Sequence, residues 1–380
     1  MKRPFRWWPV ALVVTAILVS ATGCGSQAKG DIVIGVYGPL TGGSAQYGIN
    51  MRNNIEMFID KVNSGGGING RKIKLVVEDD GGNPSTGTAA VNKLIYKDQA
   101  IAILGGPLST VNLAAMKETQ KAGVPHIATS SGSPLITEQG NPWIFRVVPK
   151  DTVIAQVITS YAVKQAGFKR IALINDSSEY GKGGGEAVKK TLSQLGVQPV
   201  ATETYNVGDK EFSGQLLKIK EANPDALIIW GVYLESALIT KQARQLGINA
   251  QILAGTGINN PKFVELAGDA AVGVMFSTPF VPNSSEPYVQ EYAKAYQAKF
   301  NAIPDMTGAT GYDAAQLIVD AIKKVGTDKQ KIADYLHQVK GFQGVTGTLT
   351  ADQNGDFNHS AKVVRIGQGG NLTVVWSPAS

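Results

Sequence analysis

The sequence predicts an α/β protein built as two units, each a doubly wound parallel sheet wrapped in helices, and three observations carry that prediction. Short apolar runs, among them 32–38, 101–104, 170–175 and 226–231, read as strands buried on both faces. Each run leads into a loop rich in Gly, Ser or Thr and then into a segment with helical apolar spacing. Such β-α-β alternation implies right-handed parallel crossovers. Finally, 380 residues exceed one ordinary core, and the rhythm restarts after 143–149. The two units repeat an architecture, not a sequence.

The first strand ends at Gly38-Pro39-Leu40, and the loop 41–48 leads to a helix with Ile49, Ile55, Met57, Phe58, Ile59 and Val62 on its apolar side. Gly65-Gly66-Gly67 stop it. A strand over 73–77 ends at Glu78-Asp79-Asp80, and a helix over 85–97 follows. The strand 101–104 opens on Gly105-Gly106-Pro107-Leu108-Ser109-Thr110 and a helix; 124–134 repeats strand and loop with Thr129-Ser130-Ser131-Gly132-Ser133. In the second unit, helix 154–165 precedes strand 170–175, its loop 176–181, and a helix opening near Gly184. Strand 197–205, helix 212–221, strand 226–231, helix 233–246 and strand 251–254 follow, the last ending in Gly255-Thr256-Gly257. A strand returns over 273–282, and the helix 285–300 carries Tyr288, Tyr292, Tyr296 and Phe300 at four-residue spacing, a core stripe. Helices over 311–325 and 331–336 precede a tail in which 344–350 and 361–366 alternate like a hairpin around Asn354-Gly355.

Composition is that of a globular chain: 43% hydrophobic, 17% charged, and 44 glycines that fit many tight junctions better than disorder. The formal charge is +6, but Lys2, Arg3 and Arg6 lie in a targeting segment, and without them the basic excess is halved. No Lys/Arg-rich run occurs in the body, which argues against nucleic acid as a partner. Residues 1–24 read as a secretory signal peptide: a basic start, an apolar run from Val10 to Val19 too short for a comfortable membrane span, then Ser20-Ala21-Thr22-Gly23-Cys24. Cys24 is the only cysteine, so no internal disulfide is expected, and its place resembles a bacterial lipobox whose cysteine receives lipid. Ala21 stands where lipoboxes usually carry Leu. Residues 25–30 read as a flexible tether.

The loops 105–110 and 129–134 put backbone N–H groups and hydroxyls at the carboxyl ends of neighbouring strands, where open α/β sheets bind ligands. A helix N-terminus behind such a loop favours an anion, so this stretch reads as half of a small-molecule site. Ser109 also has a plain reading as a helix N-cap. His126, His337 and His359 lack metal-ligand spacing, and neither metal nor cofactor is expected. No G-x-S-x-G elbow surrounds Ser109, Ser130 or Ser131. Gly181-Lys182-Gly183-Gly184-Gly185 misses the P-loop spacing, and 34–38 opens like a dinucleotide fingerprint without its third glycine or its acid. No enzyme is expected from these residues.

The chain resembles the extracytoplasmic solute-binding proteins of branched-chain amino-acid ABC transporters, the leucine/isoleucine/valine-binding family. The resemblance rests on Gly38-Pro39-Leu40-Thr41-Gly42 with Ala45-Gln46-Tyr47-Gly48, on 65–71 and Glu78-Asp79-Asp80, and on Thr129-Ser130-Ser131 with Pro134-Leu135-Ile136-Thr137. Phe145-Arg146, Tyr180-Gly181 and Gly311-Tyr312-Asp313-Ala314-Ala315 complete it, so the match spans the chain after Cys24. It implies the periplasmic binding protein type I fold, two lobes joined by three hinge crossings that close on ligand. The implied division is 31–149 with 279–340 as the first lobe and 150–278 with 341–380 as the second, the strand near 273–279 re-entering the first lobe. It further implies that Ser109 and Thr110, with the backbone around Ser130, Ser131 and Gly132, hold the ligand's carboxylate and amine, and that Tyr47, Tyr180 and Tyr233 line the cleft.

Two positions depart from the leucine-binding pattern: Gly132 replaces a Thr whose hydroxyl meets the amine, and Thr256 replaces a Glu that neutralises it. A buried ammonium without a carboxylate partner costs several kcal/mol. Either a nearby acid such as Glu235 substitutes, or the ligand lacks that charge, as an amide, keto acid or aromatic acid would. The expectation is therefore a monomeric lipoprotein, held at the membrane by Cys24, that delivers a carboxylate-bearing solute to ABC permease subunits. The alternatives are a sensor that presents its closed form to a membrane receptor and an exported serine hydrolase.

Overall fold

A computed structural model describes residues 1, 2, 4, 30–358 and 360–378. Cys24 with most of the expected signal segment, most of the tether, and His359 lie outside the described residues. In the first half, β1 (Ile32–Gly38), α1 (Ala45–Ser64), β2 (Ile73–Asp79), α2 (Pro84–Asn92), β3 (Ala102–Gly105), α3 (Ser109–Ala122), β4 (His126–Ala128) and β5 (Ile144–Arg146) alternate as expected. Then come α4 (Asp151–Ser160), β6 (Ile171–Asp176), α5 (Glu179–Gln194), β7 (Ala201–Tyr205), α6 (Ser213–Glu221), β8 (Ala226–Trp230), α7 (Tyr233–Gln245), β9 (Gln251–Ala254), α8 (Pro261–Ala267) and β10 (Met275–Thr278). The last part comprises α9 (Pro287–Phe300), α10 (Met306–Val325), α11 (Lys329–His337), β11 (Phe342–Gln343), β12 (Thr348–Ala351), β13 (Phe357–Asn358), β14 (Lys362–Ile366) and β15 (Leu372–Trp376).

Two sheets result. The first is five-stranded and parallel, in the order β2-β1-β3-β4-β5. The second is seven-stranded, β15-β14-β10-β9-β8-β6-β7, parallel from β10 to β7 and antiparallel where β14 and β15 join. The central strands β6 and β8 are buried along their whole length, as the apolar sequence of β8 and of the first four residues of β6 requires. Both sheets carry helices on each face, so each lobe has its own core. The aromatic stripe of α9 is core: Tyr292 stacks near Phe280, Tyr296 and Tyr312.

Two segments pack differently from expectation. The strand expected to re-enter the first lobe is β10, and it pairs with β9 and β14 in the second sheet; the chain crosses only after it, and α10 then packs on α1. The segment after Gly341, expected in the second lobe, is divided. Leu349 and Phe357 are buried with Ile55, Phe145 and Ile318 in the first core, while β14 and β15 complete the second sheet. The Asn354-Gly355 turn does form a hairpin, but it joins β12 to β13 rather than to the 361–366 strand. Alternating sequence fixes which face of a strand is apolar, and it carries no mark of which of two sheets the strand joins.

Candidate functional site

The first-lobe wall is the pair of loops after β3 and β4. Gly106 turns the chain with φ near +61°, and a Cβ there would lie 2.3 Å from the Tyr37 hydroxyl. At the start of α3 the N-cap is Leu108, which offers no side-chain acceptor, so the first helical N–H groups keep their positive field for another partner. Ser109 is thus the first helical residue rather than the cap, and its hydroxyl accepts the Ser133 N–H at 3.2 Å. Ser131 is buried between the loops: it bonds Gly106 O and receives Asn112 Nδ2 at 3.0 Å. Ser130 meets Thr310 Oγ1 at 2.8 Å.

A buried arginine fixes the second of these loops. Arg146 Nη1 donates to the carbonyls of Ser131, Gly132 and Ser133, and its Nε and Nη2 bond Asp356 Oδ1 at 2.7 Å. Thr137 and Lys150 occupy the other Asp356 oxygen, so both charges are compensated. Gly132 has no room for a side chain, since a Cβ would lie 2.2 Å from Asp151 Oδ1. Across the first lobe, Asp79 plays a similar part for the β1 loop, accepting from Leu40 N–H at 2.7 Å and from Thr41 Oγ1 at 2.6 Å.

The second-lobe wall is made at the carboxyl ends of β6, β8 and β9. Asp176 ends β6, with Oδ1 accepting the Ser178 N–H at 2.8 Å. Tyr180, in the first turn of α5, accepts the Gly257 N–H at 3.0 Å. The glycine run 181–185 is explained by close packing rather than phosphate: a Cβ on Gly184 would lie 1.8 Å from Trp230 Nε1.

The lobes meet around a cavity of about 300 Å³. From the first lobe Tyr47, Ser109, Thr110 and Ser130 line it, and from the second Asp176, Tyr180 and Thr256. Ser131, Gly132 and Tyr233, expected with them, do not line the cavity. Ser131 and Gly132 instead hold the loop that carries Ser130. Tyr233 helps close the cleft, its hydroxyl donating to Gly43 O at 2.7 Å. Tyr47 spans the lobes by donating to Gly257 O and accepting the Tyr233 N–H at 3.1 Å, and Thr110 Oγ1 accepts the Glu179 N–H at 3.2 Å.

Burial pushes the Tyr47 and Tyr180 phenols well above their usual range, so both act as neutral hydroxyls. Burial also raises the Asp176 carboxyl, and it raises Asp151 well above the carboxylate range although Arg146 opposes this. Sequence reasoning missed Asp176. Its signal was its place at the carboxyl end of an apolar strand, the end at which the loops of the first sheet carry Ser109 and Ser130. Glu235, named as a substitute acid, is buried beside this wall with Oε1 accepting the Gly208 N–H at 2.8 Å. It does not line the cavity. Among the described residues no cluster of His, Cys, Asp and Glu is arranged to hold a metal.

Two α/β lobes with facing strand-end loops and a ligand-sized cavity between them define the class of two-lobed α/β proteins with an interlobe cleft. The sequence profile of the periplasmic binding protein family matches residues 31–371, and the chain belongs to that family. It is 31% identical over 346 residues to the Leu/Ile/Val-binding protein BraC3 of Rhizobium johnstonii, covering 90% of this chain and 93% of that one. The leucine-binding protein LivK of Thermotoga maritima superposes with a TM-score of 0.86 at 31% identity, over 91% of this chain and 99% of the other. LivJ of Streptococcus pneumoniae in complex with isoleucine superposes at 0.84 with 27% identity, over 90% and 99%. The fold is the periplasmic binding protein type I fold.

Proposed function

We propose that this protein is the extracytoplasmic solute-binding component of an ABC importer, and that it captures a small carboxylate-bearing solute between its lobes and releases it unaltered to the permease. The observation that carries the reading is the uncapped N-terminus of α3, presented with the Ser109 and Thr110 hydroxyls to the cavity between the lobes. Oriented N–H dipoles and hydroxyls in a water-poor cleft bind a carboxylate without a basic side chain. The names of BraC3, LivK and LivJ support solute binding, and the isoleucine held by LivJ supports an amino-acid-sized ligand. A hydrolase would need a base at Ser109 or Ser130, yet their hydroxyls meet Ser133 N–H and Thr310. His126 instead faces Tyr37 at 3.3 Å, and burial lowers its pKa to about 3.

Export and lipid attachment at Cys24 complete the proposal, on the strength of the signal-like first 24 residues. The protein acts as a monomer that docks on permease subunits. The test is a thermal-shift screen over amino acids, amides, keto acids and aromatic acids, followed by recovery of the bound compound. A strong shift with unaltered compound supports the reading, and conversion of the compound would overturn it.

A further inference from the structure

The second-lobe wall is chemically one-sided. Asp176 is the one charged side chain lining the cavity, and among the described residues no Lys or Arg lines it. Asp176 is 1% exposed and its Oδ2 has no hydrogen-bond partner. Beside it, Tyr205 OH, Glu235 Oε2 and Ser236 Oγ are also buried and unpartnered. Two of these groups converge at the end of β8: a Cβ on Gly231 would lie 1.8 Å from Tyr205 OH and 3.4 Å from Asp176 Oδ2. Gly231 itself abuts Gly257 of the cavity wall, whose Cβ would lie 2.2 Å from Gly231 O.

Buried polar atoms are nearly always paired, and a buried carboxylate left alone is strongly unfavourable. A carboxylate ligand cannot satisfy the Asp176 and Glu235 oxygens, because it brings no donor and the same charge. We infer that this floor receives a cationic N–H donor, an ammonium or guanidinium, at the far end of the solute whose carboxylate meets α3, with Asp176 as its direct partner and Tyr205 and Glu235 in support. The inference rests on the carboxylate reading for the solute's other end. Leu108, Val207, Val232 and Met306 line the cavity between these polar groups and suit a methylene stem. Thr256 leaves no acid for a second ammonium, so the preferred class is an ω-amino or ω-guanidino acid, whose single cation pairs with Asp176, rather than a branched aliphatic amino acid.

Calorimetry on the mature protein with shape-matched pairs tests this: 6-aminohexanoate against heptanoate, and 4-guanidinobutyrate against 4-ureidobutyrate. The cationic member should bind about thirtyfold tighter or more, the scale expected for a buried charge pair. Asp176→Asn retains an oxygen for the Ser178 N–H, so its unliganded melting temperature should equal or exceed that of the parent. It should bring each pair's affinity ratio near one, whereas Ser109→Ala should weaken both members alike. A neutral member that binds the parent protein as tightly as its cationic counterpart, or a ratio that survives Asp176→Asn, overturns the inference and leaves the carboxylate reading standing. Propylguanidine binding as tightly as 4-guanidinobutyrate would overturn the carboxylate reading and leave Asp176 in its role. A panel with no binder overturns both.

Discussion

Tyr47 of the first lobe and Tyr233 of the second meet edge to face, with ring centroids 4.8 Å apart, and the Tyr233 N–H donates to the Tyr47 hydroxyl at 3.1 Å. The same hydroxyl donates to Gly257 O, so one phenol ties together the starts of α1 and α7 and the loop after β9. Closure therefore depends on a side chain that also lines the cavity. Tyr47→Phe keeps the ring contact and removes both hydrogen bonds. With about 0.5–1.5 kcal/mol for each, about 1–3 kcal/mol together, solute affinity should fall roughly five- to 150-fold. Titration calorimetry reads this directly, and unchanged affinity would mean that the contact plays no part in closure.

The packing of α5 on the second sheet gives a stability prediction. Gly184 is the point of closest approach to the Trp230 indole, and an added methyl would lie 1.8 Å from its nitrogen. Gly184→Ala should destabilise the protein by about 1–3 kcal/mol through overpacking. Urea unfolding followed by tryptophan fluorescence measures it. A midpoint equal to that of the parent would show that the helix can shift at no cost.

Much of this site was legible in the sequence because strand ends and helix starts carry their own marks. Ser109, Thr110 and Ser130 sit where an apolar run gives way to small polar residues, and all three line the cavity. Asp176 follows the same rule, but it shares its serine-rich stretch with Glu179, and only its missing partner in three dimensions marks it out. Ser131 and Gly132 share the local sequence of the cavity residues yet face Asn112 and Asp151, because strand and loop geometry alternates sides. The lobe of β10 and of the β11–β13 hairpin depends on long-range pairing, which no local pattern encodes.

Asp305 gives a pH dependence. It caps α10 through the Gly308 N–H at 2.8 Å and accepts Asn50 Nδ2 at 2.5 Å and Asn260 Nδ2 at 2.9 Å, joining the two lobes. Burial pushes its carboxyl up to about 6, with those hydrogen bonds opposing the rise. The folded protein thus holds this proton at pH values where the unfolded chain has lost it. The contribution of Asp305 is fully present below the unfolded value and is lost as pH rises through about 6. Asp305→Asn should remove that component, so the melting-temperature difference between parent and variant should change between pH 4 and 7. A difference independent of pH would show that Asp305 keeps an ordinary affinity for its proton.

The anchor is tested separately from the site. Cys24→Ser in the full-length chain should leave ligand binding intact and shift the protein from the membrane fraction to the soluble extracytoplasmic one. Intact mass spectrometry of the parent should find an N-terminal cysteine carrying acyl chains. A mature N-terminus elsewhere, without lipid, would contradict the proposed attachment.

The claim that the α3 terminus holds a solute's carboxylate is met most directly by equilibrium titration of the mature protein and its Ser109→Ala variant, each with a bound amino acid and with the amide of that acid. The account predicts one site per chain, unaltered solute on recovery, and roughly ten- to 150-fold weaker acid binding in the variant, from loss of one hydrogen bond to a charged group. The amide should bind the parent more weakly than the acid. Equal affinity for acid and amide, together with no effect of Ser109→Ala, would contradict it.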